Sequence, residues 1–193
     1  IMRHLRATGH PILSEEGPLP DYEERKNWPG LWVVDPLDGT SEFLKRNDEF
    51  TVNIAWVQDG RPMAGVIYLP VTHTLYFGME GMGAFKVGDV TVAKSEEELI
   101  RAAQRLPIEK QHEGFVVVAS RSHLSGETEA YIDLLRKDHP DLSLISAGSS
   151  MKLCRVAEGS ADVYPRFAPT MEWDTAAGDA IVRAAGGEVV DTE

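Results

Sequence analysis

Leu31-Trp32-Val33-Val34-Asp35-Pro36-Leu37-Asp38-Gly39-Thr40 carries the strongest signal in this sequence. Four apolar residues, the pattern of a buried strand, run directly into two aspartates. Asp35 and Asp38 flank a predicted tight turn, so both carboxylates can face one point. Pro36 fixes φ and stiffens that turn. Gly39 lets the backbone come close to a ligand. Thr40, Ser41 and Glu42 open a short predicted helix through Phe43 and Leu44, whose first N–H groups are open to a phosphate. Taken alone, the segment reads as a strand, a turn and a helix with Asp38 as its cap.

Downstream, Thr51-Val52-Asn53-Ile54-Ala55-Trp56-Val57 and Met63-Ala64-Gly65-Val66-Ile67-Tyr68 flank Asp59-Gly60, a pair suited to the positive φ of a hairpin turn. Thr74-Leu75-Tyr76-Phe77 and Gly83-Ala84-Phe85-Lys86-Val87 predict a second hairpin around Glu80-Gly81, and four such strands in a row predict one meander sheet. Ser95 with Glu98 reads as a capping box opening a helix that Pro107 limits. The second half alternates. Strands are predicted over 115–119, 142–145 and 161–164, and helices over 127–137, 150–158 and 174–185. In the first of these helices Tyr131, Leu134 and Leu135 read as the inner face. The last closes at Gly186, with a strand after it. Alternation of this kind predicts α/β layering, with an α+β first half over 1–106, an α/β second half over 107–193 and a ligand cleft between them.

The balance of 19 Lys and Arg against 31 Asp and Glu gives a net charge of −12, which argues against a nucleic-acid partner. With 42% apolar and 26% charged residues the chain can build a core. Cys154 is the one cysteine, so a reducing compartment is expected. No apolar run is long enough to span a bilayer. The expected location is the cytoplasm, a peripheral place on the cytoplasmic face of the inner membrane included. Both ends read as cut. Ile1, Met2 and Leu5 resemble the last turns of a helix stopped by Gly9, and the chain stops soon after Gly186-Gly187.

Two more acidic segments share the pattern. Leu13-Ser14-Glu15-Glu16-Gly17 ends an apolar stretch with adjacent acids, and Trp173-Asp174-Thr175-Ala176-Ala177-Gly178 starts a small-residue helix with an aspartate. Alone, the first is a solvated loop and Asp174 a helix cap. In this order, the Ser-Glu-Glu element, the Trp-x-x-Asp-Pro-x-Asp-Gly-Thr element and the Trp-Asp-x-Ala-Ala-Gly element resemble the inositol monophosphatase superfamily along essentially the whole chain. The resemblance implies the layered αβαβα sugar-phosphatase fold and a lithium-sensitive phosphatase using two or three Mg²⁺ ions. It assigns Glu15, Asp35 and the Leu37 carbonyl to one ion, and Asp35, Asp38 and Asp174 to the second. Carboxylates about 4 Å apart repel by roughly 4 kcal/mol at an effective dielectric near 20, so such a cluster calls for cations. Thr40 and Glu15 are the implied catalytic residues. The acid that partners this threonine in the family lies upstream of the Glu-Glu element, so this chain is expected to bind Mg²⁺ but to turn over slowly.

Further segments resemble the bacterial 3'(2'),5'-bisphosphate nucleotidases of that superfamily: 43–54, Ser120-Arg121-Ser122-His123, Gly148-Ser149-Ser150-Met151-Lys152, Ala157-Glu158-Gly159 and Tyr164-Pro165-Arg166-Phe167. The implied substrate is the small molecule adenosine 3',5'-bisphosphate, a by-product of sulfate activation. Its 3'-phosphate would be hydrolysed to leave AMP. Glu15, Leu37, Asp38, Gly39, Thr40, His123, Ser149, Lys152, Arg166 and Asp174 are the implied substrate contacts. Lys152 supplies a point charge and Arg166 a fork suited to phosphate. Taken singly, Lys152 reads equally as a solvated helix residue, Arg166 as a partner of Glu172 and His123 as a helix cap. An inositol-phosphate or fructose-bisphosphate phosphatase, and a non-catalytic fragment that binds metal or nucleotide, are the alternatives. Oligomeric state is left open.

Overall fold

A computed structural model describes residues 1–90, 95–108, 112–120 and 124–191. In chain order the elements are α1 (Met2–Arg6), β1 (Ile12–Ser14), α2 (Tyr22–Arg25), β2 (Gly30–Asp38), α3 (Thr40–Lys45), β3 (Thr51–Gln58), β4 (Arg61–Leu69), β5 (Thr74–Met79), β6 (Gly83–Val87), α4 (Glu96–Ala102), β7 (Gln104–Leu106), β8 (Val116–Ser120), α5 (Gly126–Asp138), β9 (Ser143–Ala147), α6 (Met151–Glu158) and α7 (Glu172–Ala184).

Strands β1 to β7 lie side by side in sequence order. β1 pairs with β2 in parallel and every later pair is antiparallel. The β3–β4 turn has Asp59 and Gly60 at positive φ, as their sequence predicts. Period-two burial puts Val33, Ala55, Val57, Ile67, Leu69 and Tyr76 in the main core with Trp173, Ala177 and Ile181 of α7. Small residues let α7 lie close on the sheet. This docking carries the first turn of α7 to the end of β2.

The second sheet, β8 and β9, is parallel. Val116 and Val118 pack toward Met151 and Val156 of α6. Val117 and Ala119, on the opposite face, pack against Ile132 and Leu135 of α5. The layers therefore run from the seven-stranded sheet through α6 and α7 to the small sheet and then to α5. Among the described residues no helix is long and apolar enough to cross a membrane.

The structure departs from the sequence expectations in five places. The Asp-Pro-Leu-Asp segment is no separate turn. It is the bulged end of β2, where pairing passes from Asp35–Asn53 to Asp38–Thr51. The strand expected over 161–164 shrinks to a single bridge between Val117 and Val163. The Asp162 side chain takes the Val116 N–H at 2.7 Å, and Pro165 cannot donate to a ladder. Residues 187–191 form no strand, because none of the described segments pairs with them. β7 is an unforeseen edge strand, three residues long and too short to show a period. On α5, Thr128 and Ile132 are the buried residues, whereas Leu134 is 52% exposed. Tyr131 is also turned outward and lies 5.5 Å from the ring of Phe167.

Candidate active site

Three carboxylates converge where β2 ends and α7 begins. Asp35, Asp38 and Asp174 each offer an oxygen within 4.8 Å of the others. Protein donors hold one oxygen of each. The Leu37 N–H donates to Asp35 Oδ1 at 2.9 Å. Thr170 Oγ1 at 2.7 Å and the Met171 N–H at 3.1 Å donate to Asp174 Oδ2. Asp174 thus reaches back over the first turn of its own helix, which settles its orientation.

Asp38 Oδ2 sits in the densest network. The Ser150 N–H donates to it at 2.7 Å, Asn53 Nδ2 donates at 3.2 Å, and the hydroxyls of Ser150 and Thr51 lie 2.8 and 3.3 Å away.

The electrostatics fit a cation site. Burial pushes the Asp35 carboxyl up to about 8, against the pull of the Leu37 N–H, and the charges of Asp38 and Glu15 add to the rise. Burial likewise raises Asp38, opposed by Ser150 and Asn53 and reinforced by Asp174. An all-carboxylate set of hard oxygens matches Mg²⁺ and similar ions rather than soft metals.

Glu15 follows β1, its N–H bonded to the Val34 carbonyl at 3.3 Å. It stands outside the triad yet close enough for its carboxyl to act on Asp35. Leu37, Gly39 and Thr40 line the same cavity of about 260 Å³ as the four acids, and so do Ser149, Lys152 and Arg166. Gly39 has φ +90 and is the N-cap of α3, with Thr40 the first helical residue. Of the residues singled out in the sequence, His123 lies outside the described residues.

The alternative reading of Lys152 as a solvated helix residue does not hold. It is 4% exposed, and its ammonium donates to the backbone carbonyls of Ser149 at 2.6 Å and Ala147 at 3.4 Å. Burial brings its pKa down to about 8, against the attraction of Asp38. Lys152 therefore braces the 147–149 loop from below. Arg166 does not pair with Glu172, which bonds Arg25 at 2.6 Å. Its guanidinium donates to Tyr164 Oη at 3.2 Å and to the Pro169 carbonyl at 3.0 Å, and its buried Nε has no partner among the described residues. Ser149 Oγ is likewise buried and unpartnered, on a backbone at φ +41.

Sequence reasoning missed Thr51, Asn53, Thr170 and the role of Ser150. One signal was available: Thr51 and Asn53 are polar residues on the face that Ala55 and Val57 bury.

The inositol monophosphatase family model matches residues 3–193. The chain belongs to the inositol monophosphatase family. It is 45% identical to the 3'(2'),5'-bisphosphate nucleotidase CysQ of Escherichia coli K12, over 94% of this chain and 66% of that protein. The Salmonella typhimurium protein of the same name matches with the same identity and coverage. The chain thus spans just under two thirds of the length of these relatives. The crystal structure of CysQ from Bacteroides thetaiotaomicron superposes with a TM-score of 0.89 at 57% identity, covering 94% of this chain and 68% of that one. SuhB from Bartonella henselae gives 0.73 at 28%, covering 98% and 68%. These neighbours agree with the α/β sugar-phosphatase fold, and an acidic triad able to hold a metal ion accords with a metal-dependent family.

Proposed function

We propose that the chain carries the active site of a Mg²⁺-dependent phosphatase that hydrolyses the 3'-phosphate of adenosine 3',5'-bisphosphate. One observation carries this reading. The cavity lined by the acidic triad is also lined by Ser149 and Arg166, each of which keeps a buried polar atom, Oγ and Nε, without a partner among the described residues. The acids suit cations and Ser149 with Arg166 an anion, which fits a substrate with one phosphate to lose and another to be held. The names of the bacterial relatives, 3'(2'),5'-bisphosphate nucleotidases, point to a substrate of this class.

In this reading Glu15, Asp35 and the Leu37 carbonyl would hold one Mg²⁺, and Asp35, Asp38 and Asp174 would hold the second. Bound there, Mg²⁺ supplies Lewis-acid stabilisation of phosphoryl oxygens and makes a water a better nucleophile. Thr40 and Glu15, which line the same cavity, would orient that water. Ser149 and Arg166, which line the same cavity, bind the second phosphate, the guanidinium through charge-assisted hydrogen bonds. Lys152 keeps the loop of Ser149 in place. A cytoplasmic location and inhibition by Li⁺ belong to the same proposal.

Phosphate release with Mg²⁺ from adenosine 3',5'-bisphosphate and from inositol 1-phosphate tests it. Faster release from the nucleotide is expected. Faster release from inositol 1-phosphate would overturn the choice of substrate.

A further inference from the structure

Ser150 stands at the N-cap of α6, where a serine ordinarily accepts a hydrogen bond from the first turn of its own helix. Its side chain makes no such bond. The hydroxyl turns the other way, 2.8 Å from Asp38 Oδ2 and 2.9 Å from the backbone carbonyl of Asp174. It touches two members of the acidic triad, one through its carboxylate and one through its backbone, and its single proton serves either.

Asn53 fixes that hydroxyl. Thr51 Oγ1 lies 2.9 Å from Asn53 Oδ1, so the amide carbonyl faces the threonine. The amide nitrogen then faces inward and donates to Ser150 Oγ at 2.8 Å and to Asp38 Oδ2 at 3.2 Å. Thr51, Asn53 and Ser150 are all buried. A wrong rotamer in this group would strand a polar atom without water, which costs more than an ordinary hydrogen bond contributes.

We infer that Ser150, oriented by Asn53, is the positioning residue that sets the spacing between Asp38 and Asp174. With Oδ2 of Asp38 saturated by Ser150 and Asn53, Oδ1 is the oxygen presented to a cation. Because the same hydroxyl meets the first turn of α7, the two acids keep one separation even though they sit 136 positions apart in the sequence. The inference rests on the proposal that Asp38 and Asp174 share an ion.

Calorimetric titration of Mg²⁺ or Mn²⁺ into the metal-stripped protein, without substrate, tests it. Parent, Ser150→Ala and Asn53→Ala are compared with Val156→Ala, a core truncation on the same helix. Ser150→Ala should unfold cooperatively yet bind one ion about tenfold or more weakly, the loss expected for a hydrogen bond to a charged group. Asn53→Ala should move in the same direction. Val156→Ala should lose stability and keep the parent affinities. Parent-like affinities in folded Ser150→Ala would overturn the inference. So would equal weakening in Val156→Ala, or failure of both Ser150→Ala and Asn53→Ala to fold, since each would make the group purely structural. A parent that binds no ion would instead overturn the metal reading itself, and this inference with it.

Discussion

Gly65 lies so close under Ala177 that a Cβ on the glycine would fall 2.2 Å from the alanine carbonyl oxygen. A second contact works from the side: a Cβ on Gly178 would meet Leu153 of α6 at 2.2 Å. α7 is thus seated on β4 and against α6 with no room for a methyl group, and Asp174 is one turn from both contacts. Gly65→Ala should force the helix outward and cost about 1–3 kcal/mol, as overpacked cores do. Denaturant unfolding should show the loss, and Mg²⁺ affinity should fall with it because Asp174 moves. Full affinity in a destabilised Gly65→Ala would separate the helix seat from the site.

Glu158 ties the end of α6 to β5 and β6. It is 5% exposed and accepts from Tyr76, Lys86, Arg155 and Ser160 at 2.6–2.8 Å. Burial alone would raise its pKa, but the bonds from Lys86, Ser160 and Tyr76 outweigh burial and bring it from 4.5 down to about 2. A folded pKa below the unfolded one contributes stability that is complete above the unfolded value and is lost as pH falls through the folded one. A shift of that size corresponds to something on the order of 3 kcal/mol, lost between pH 4.5 and about 2. Glu158→Gln should be less stable at pH 7 and flatter across that window in thermal melts. An unchanged acid limb would show that another group sets it.

Lys152 and Arg166 should behave differently, because one braces a loop and the other has a donor to spare. Arg166→Ala should raise KM for adenosine 3',5'-bisphosphate about tenfold or more, the loss of a charge-assisted contact, and affect inositol 1-phosphate less. Lys152→Met should impair both substrates together and lower the melting temperature, since the Ser149 and Ala147 carbonyls lose their buried donor. Equal effects of Arg166→Ala on both substrates would show that it does not read the second phosphate.

Much of this was legible in the sequence where a residue type admits few conformations. Asp59-Gly60 dictated a hairpin and Ser95 with Glu98 a capping box, whereas the meeting of Asp35 and Asp38 with Asp174 was implied only by the family resemblance. The Ser95 box is present with both of its bonds. What stayed hidden depends on distant partners. Nothing local to Ser150 tells that its hydroxyl will abandon its own helix for an aspartate 112 positions away. The apolar turn of Tyr131 and Leu134 looked inward by period, yet the stripe that meets β8 is offset by one residue. The segment at 161–164 has strand composition, but Asp162 replaces a ladder bond with its side chain. In each case a tertiary contact overrode a local preference.

The central claim is that the acids at the end of β2 and the start of α7 hold the Mg²⁺ that drives phosphate release. The most direct test is Mg²⁺-dependent phosphate release from adenosine 3',5'-bisphosphate by the parent and by Asp35→Asn, each repeated with a chelator. Asp35 is 1% exposed and its amide counterpart has nearly the same shape, so the fold should persist. The account predicts that the parent loses its release in chelator. It also predicts that Asp35→Asn, folded by its melting curve, is slower by about 10²-fold or more, the scale on which a group acting on developing charge contributes. Release by Asp35→Asn within a few-fold of the parent, or parent release untouched by chelator, would contradict it.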